Sequence, residues 1–511
     1  MGDLSKLKIA MGQVNIVEGR PSQNEMAIDR LIDSALDKSA DIMLVQSAFD
    51  DHDNIHLISL NDSRVDITGD TVMLDACGET YKISLGRRDP SCDFSVLADT
   101  RPYTLDRAED GKDLASCIVL RPVGIRDRAT RLQTFDGGTT AYGADGSRLL
   151  TLRDDFVEDV RTFSLNDAVE APKPCSKKLL TGLVMTMRRF DEQVFGGNAK
   201  WVIGLSGGLD SSVVAALLVL AFGSGRVVGY NLATRFNSDM TRGNAARLAQ
   251  MLGITFRSGS IGHMISSLGT TLSGFGYDRS LLQGLILENV QARTRSNLLS
   301  TFSAIEGGVV VNNGNRVEAA LGYATLYGDS IGALAPIGDL TKVKLFGLAL
   351  DINETFGYEV IPENLLPVET DDGYVWETMP SAELSSGQVD PMKWFYHDWL
   401  VGKLLGDGQE SYEGRYASAC DIIERYLKDR LLGTEVGKWI RFYGLDDPAA
   451  FAEDLDWVLS NMKSSAFKRL QAPPFIAVAS VQSAFGDAEP QIAPEPPSRY
   501  LALSAQLRRM Q

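Results

Sequence analysis

The chain has 511 residues, 44% of them apolar and 23% charged, the make-up of a globular protein with more than one core. Its 67 acidic against 50 basic side chains leave a net charge of −17, which opposes binding to nucleic acid or to an acidic membrane surface. No run approaches the ~18 unbroken apolar residues of a membrane span. The start lacks a secretory pattern and five scattered cysteines form no CxxC pair, so a cytoplasmic protein without disulfide framework or zinc site is expected.

Residues 7–16, LKIAMGQVNI, a polar helix-like stretch to Ser39 and DIMLV at 41–45 read as strand, helix, strand. From 72 to 160, short apolar runs separated by turn signals such as DGG and ADG suggest a strand meander, which makes residues 1–169 an α+β domain. The polar, proline-containing segment 170–178 reads as a linker. The pattern then changes. A helix over 178–195, a strand at 201–205, a helix at 211–221, the strand RVVGYNL (226–232), a helix at 241–252 and ITFRSGS alternate as in a doubly wound parallel sheet, so 179–486 reads as an α/β domain. An amphipathic segment near 282–305 leads into the apolar strand GGVVVNN, and beyond 353 the chain is loop-rich, then helical to about 470. The proline-rich tail, 487–511, is expected to wrap a surface or stay disordered.

At the first strand-to-helix turn stands VIGLSGGLDSSVVAALL, residues 202–218. Gly207 and Gly208 let the backbone approach a ligand, and N–H groups at the helix start converge there on phosphate oxygens. Ser206, Ser211 and Ser212 add hydroxyl donors. Asp210 is acidic where a bare anion cradle avoids charge, which a magnesium ion bridging it to phosphates explains. No lysine follows the glycines, so this is neither the GxxxxGK[ST] loop nor GxGxxG. SGGxDS in this setting resembles the pyrophosphate loop of ATP pyrophosphatases, which cleave ATP between the α and β phosphates and adenylate a substrate.

Further segments narrow the resemblance. ENVQARTRSNLL (288–299), the stretch 312–346 from NNGNRVEAALGY to GDLTKVKLF, PSAEL (380–384) and FKRLQAPP (467–474) resemble NAD synthetase, particularly the synthetase half of its glutamine-dependent form. On the helix, Asn289 with Arg293 and Gln291 with Arg295 are i, i+4 pairs able to present amides and guanidinium groups to an anionic dinucleotide. Glu318 follows the strand and turn, where a second carboxylate can share magnesium with Asp210.

By this resemblance Lys342 contacts ATP phosphates, Ser381 contacts ATP, and Asn289, Arg293, Glu318 and Lys468 reach deamido-NAD. Three positions depart from the family: Asn313 replaces an ATP-contacting threonine, Arg316 a lysine, and Val343 a hydroxyl residue. The implied reaction joins the nicotinate carboxylate of deamido-NAD to the α phosphorus of ATP, releases pyrophosphate, and lets ammonia displace AMP to form the amide. The family also implies a homo-oligomer. Amidation of another carboxylate, or a noncatalytic nucleotide sensor or scaffold, stay open as alternatives.

The first domain resembles a nitrilase-like glutaminase at its ends, LKIAMGQVNIVEGRPSQN and 135–160, but not between them. That family uses a glutamate, a lysine and a nucleophilic cysteine. Gln46 occupies the glutamate position, no lysine lies between Gln46 and Tyr81, and Ser84 and Leu85 stand where the cysteine motif belongs. Cys77 and Cys92 are nearby, outside the expected context. A shortened, degenerate glutaminase domain is therefore expected, with ammonia taken free or from a separate glutaminase.

Overall fold

The computed structural model describes residues 3–49, 54–105, 107, 114–165, 175–370, 373–377, 383–384, 390–405, 412–479 and 495–510. The chain forms two compact units, Met1–Arg128 with Leu132–Phe190, and Asp191–Gln511 with Ala129–Arg131. Their division falls inside the helix Lys178–Phe195, whereas composition placed a linker at 170–178, of which 170–174 lie outside the described residues. A proline-containing polar stretch marks where a chain leaves a core, not where the next element changes allegiance.

The first unit is α+β. One sheet runs Asp159–Phe163, Ile9–Gln13, Ile42–Gln46, Ile55–Ser59, and a second holds seven strands from Arg148–Thr151 to Arg64–Thr68. Ile9, Met11, Ile42 and Leu44 pack towards Val72, Leu74, Ile83, Phe94 and Val96, while Ala10, Met43 and Val45 face Ala27, Leu31 and Ala35 of the helix Pro21–Asp37. Covering on both faces explains why Ile9–Gln13 and Ile42–Gln46 are buried at every position. Along Thr71–Ala76, by contrast, Val72, Leu74 and Ala76 are buried while Met73 and Asp75 are exposed, the alternation of a sheet with one wet face.

In the second unit four strands, β1 (Lys200–Gly204), β2 (Val227–Ala233), β3 (Thr255–Ser260) and β4 (Gly308–Val310), form a wholly parallel sheet in the order β3-β2-β1-β4. Between them run α1 (Leu209–Phe222), α2 (Asp239–Leu252) and α3 (Gly284–Glu306), joined by Gly262–Gly274, a helix absent from the sequence reading. Helix α1 is apolar almost all round and correspondingly buried from Leu209 to Leu218, Asp210 being the partial exception. Strand order reverses between β1 and β4, and at such a switch point the loops leaving the carboxyl ends of the two strands diverge and open a crevice. Beyond β4 come α4 (Arg316–Leu321), α5 (Lys342–Phe356) and α6 (Tyr396–Leu404). The tail is not featureless: Ser498–Leu507 is a helix with Tyr500 and Leu507 buried, because an amphipathic run survives after the last proline. Residues 480–494 lie outside the described residues.

Candidate active site

The loop leaving β1 turns at Gly207, whose φ is +89° and whose place leaves no room for a side chain: a Cβ there would sit 1.8 Å from the Thr241 carbonyl oxygen. Only glycine satisfies both conditions. Gly208 is the N-cap of α1 and puts Asp210 in its first turn. The serines hold this turn. Ser206 Oγ accepts from Gly208 N (3.2 Å) and lies 3.1 Å from Ser211 Oγ, and Ser211 and Ser212 donate to the Gly208 carbonyl at 3.2 and 2.8 Å. Ser206, Gly208, Asp210 and Ser211 line a cavity of ≈390 Å³, in the size range of small-ligand sites, whereas Gly207 and Ser212 build its wall from behind.

The loop leaving β4 supplies the opposing group. Asn315 caps α4, its Oδ1 accepting from the backbone N–H groups of Val317 and Glu318, and Glu318 Oε2 accepts in return from Asn315 N at 3.0 Å. This reciprocal cap fixes Glu318 on the cavity wall. Burial, and then the charge of Asp210, push the Glu318 carboxyl up to about 8. Lys342, the first residue of α5, is buried and its Nζ donates to Asp210 Oδ2 at 2.6 Å. Burial lowers the lysine, but the charges of Asp210 and Glu318 outweigh it and hold the ammonium above its ordinary value. Sequence reasoning placed these three residues in one site, and the fold brings them together.

A divalent cation suits this donor set. Asp210 Oδ1 is buried with no hydrogen-bond partner, and two neighbouring carboxylates repel unless a cation lies nearby. Among the described residues no cluster of three His, Cys, Asp or Glu side chains is placed to hold a metal, so the pair alone would leave coordination positions for phosphate oxygens and water, as magnesium commonly requires.

Asn313 lines the cavity, donating to Gly204 O at 2.9 Å and leaving Oδ1 unpartnered and buried. Lys468 also lines it, its Nζ donating to the carbonyls of Gly322 and Ala324 at 2.8 Å each. On α3, Arg295, Ser296 and Leu299 face the cavity, and Arg295 donates to Leu232 O. Asn289 and Arg293 lie off that wall, bonded to Thr325 Oγ1 and Leu326 O, with Arg293 exposed. Arg316 is buried beside Asp339 at 3.7 Å, and Val343 is 39% exposed, both outside the cavity wall. Ser381 lies outside the described residues. The sequence reading missed Glu383, which lines the cavity and accepts from Asn237 Nδ2 and Thr241 Oγ1. It stands in the quoted PSAEL, but no periodicity announces which β2 and α2 residues it will meet.

In the first unit Gln46 is buried at a strand end with Nε2 donating to Ala48 O at 2.8 Å, and Ser84 is buried with Oγ donating to Arg87 O at 2.9 Å. Leu85 is the last residue of its strand, its N–H bonded to Asp70 O. Burial pushes up the thiols of Cys77 and Cys92, seconded by the carboxylates of Asp41 and Asp89, the opposite of an activated nucleophile.

A glycine turn and a pair of carboxylates thus stand together at the switch point of a parallel α/β sheet. Residues 189–400 match the NAD synthase family model. Glutamine-dependent NAD(+) synthetases of Synechocystis sp. and Thermotoga maritima are 32% and 36% identical over 288 and 217 residues, covering 55% and 42% of this chain. The matched parts span 48% and 34% of those relatives, so the chain spans about half their length or less. Solved glutamine-dependent NAD synthetases from Acinetobacter baumannii, in complex with ADP, and Cytophaga hutchinsonii share the fold: TM-scores 0.59 and 0.65, identities 19% and 13%, covering 96% and 98% of this chain and the whole of each solved chain. No helix among the described residues is long and apolar enough to cross a membrane.

Proposed function

We propose that this chain is an NAD synthetase, amidating deamido-NAD with ATP and ammonia, and that its first unit is a glutaminase that has lost its chemistry. The observation that carries the reading is the Asp210–Lys342 ion pair beside Glu318, set in a glycine turn at the switch point of a parallel sheet. The N–H groups at the start of α1 bind and orient phosphate oxygens. Asp210 and Glu318 would hold magnesium, whose positive charge would offset that of the departing pyrophosphate. Lys342 adds a fixed ammonium to the same region, where it counts for more than in water because the site is shielded. The deamido-NAD carboxylate oxygen forms a bond to the α phosphorus as the bond to the β-phosphate oxygen breaks. Ammonia then attacks the acyl carbon, AMP leaves, and a proton is lost to give the amide. No side-chain nucleophile is required, so orientation and electrostatics carry the rate.

Asn313 and Ser381 are assigned to ATP, and Asn289, Arg293 and Lys468 to deamido-NAD. A cytoplasmic homo-oligomer, fed by free ammonia or by a separate glutaminase, completes the proposal. The test is to incubate the purified chain with ATP, magnesium and deamido-NAD, adding ammonium or glutamine, and to measure NAD and pyrophosphate. NAD with ammonium alone supports the reading. NAD with glutamine overturns the assignment of the first unit, and none with either overturns the synthetase.

A further inference from the structure

Lys342 is held from behind by a turn that sequence reading did not single out. Asp398, buried in the first turn of α6, accepts from two backbone donors: its Oδ2 from Phe395 N and its Oδ1 from Lys342 N, both at 2.8 Å. One carboxylate thus meets the starts of two helices, α5 and α6, where unpaired N–H groups and helix dipoles favour negative charge. The neighbouring Trp394 is 3% exposed, and its ring lies 4.8 Å from Lys342 Nζ, within cation–π distance.

Between these two residues Phe395 has φ +68° and ψ −51°, the strained geometry of a γ-turn, which a bulky side chain adopts only when its surroundings impose it. Those surroundings are present. Its ring stacks on Trp439 with centroids 4.1 Å apart and planes 5° apart, and Lys393 N donates to His397 Nδ1 at 3.0 Å. His397 Nε2 lies 3.0 Å from Asp454 Oδ2, and Lys393 Nζ pairs with the other Asp454 oxygen. A strained turn braced on both sides sets the lysine's backbone with one residue and its ammonium with another.

We propose that Asp398 and Trp394 are positioning residues for Lys342, directing its ammonium onto Asp210 and the phosphate site; this rests on the ATP-binding reading of the cavity. Packing alone would make their loss independent of the lysine. Acting through the lysine makes the losses non-additive. The experiment measures Mg-ATP affinity by calorimetry, and NAD formation with ammonium, for the full chain and for Trp394→Leu, Trp394→Phe, Asp398→Asn, Lys342→Met and the double variant Trp394→Leu/Lys342→Met.

Trp394→Leu is expected to weaken Mg-ATP binding about tenfold and Trp394→Phe about twofold, since the smaller ring keeps a π face. In the Lys342→Met background the further loss from Trp394→Leu is expected to stay below about twofold. An equal tenfold loss in both backgrounds, or none in either, overturns the positioning role. Should Asp398→Asn fail to fold, the tryptophan variants decide. Mg-ATP binding by the parent without NAD formation overturns the synthetase reading but leaves the affinity comparison intact, and absence of Mg-ATP binding overturns both.

Discussion

Both units bury polar atoms without partners, but only in the second do Asp210 Oδ1 and Asn313 Oδ1 gather on the wall of one cavity. In the first, Gln46 Nε2, Ser84 Oγ and the Leu85 N–H are spent on nearby backbone carbonyls, although Gln46 Oε1 is buried without a partner, and the thiols of Cys77 and Cys92 are pushed away from reactivity. In the second, Asp210 Oδ1 and Asn313 Oδ1 are left unpartnered on the wall of one cavity, and Glu318 is kept near Asp210 although their charges oppose it. A polar group without a partner costs stability, so a gathering of them around a crevice marks where a ligand is awaited.

Breaking the charged side should have the largest effect. Asp210→Ala removes a proposed cation ligand and the lysine's partner together, and the rate of ammonium-dependent NAD formation is expected to fall about 10³-fold or more. Steady-state kinetics checks this, with circular dichroism to confirm folding. Next comes the turn itself. Gly207→Ala forces a Cβ into the Thr241 carbonyl in a left-handed conformation, and should cost about 2–4 kcal/mol and weaken Mg-ATP binding, read by thermal melting and calorimetry.

Glu318→Gln sharpens the contrast through pH. The folded carboxyl titrates near 8 against an ordinary 4.5, so the folded state holds its proton more tightly than the unfolded chain, and the stability this provides drains away as pH rises from about 4.5 to about 8. A neutral amide escapes that loss. The variant should therefore melt within error of the parent at pH 4 and about 1–3 °C higher at pH 9 without ligand, while losing magnesium-dependent activity. The smallest effect is expected on the other side: Gln46→Glu places a carboxylate at the proposed glutaminase position without its partners, and glutamine hydrolysis should stay at background in a glutamate-release assay.

Much of the second unit was legible in the sequence because its elements are local. Alternating runs gave the parallel strands, and the SGGLDS turn put Asp210 at the start of a helix. Lys342 was found through family resemblance and Glu318 as a carboxylate following an apolar strand and turn, since nothing in the 108 and 132 positions between them and Asp210 encodes their approach; the strand order does. The face of α3 turned to the cavity was half legible. Helical spacing groups Asn289 with Arg293 and Gln291 with Arg295, yet only packing tells which pair looks inward. Asp398, Trp394 and Glu383 were invisible for the same reason, each acting across a sequence gap that local pattern does not span.

The reciprocal cap between Asn315 and Glu318 has a consequence for how a cation would be received. A free glutamate side chain surrenders roughly 1.5–2 kcal/mol of rotamer freedom when it is immobilised. Here the folding of a six-residue helix has already taken that freedom away, so the ligand is preorganised and arriving ions meet a carboxylate with nothing left to freeze.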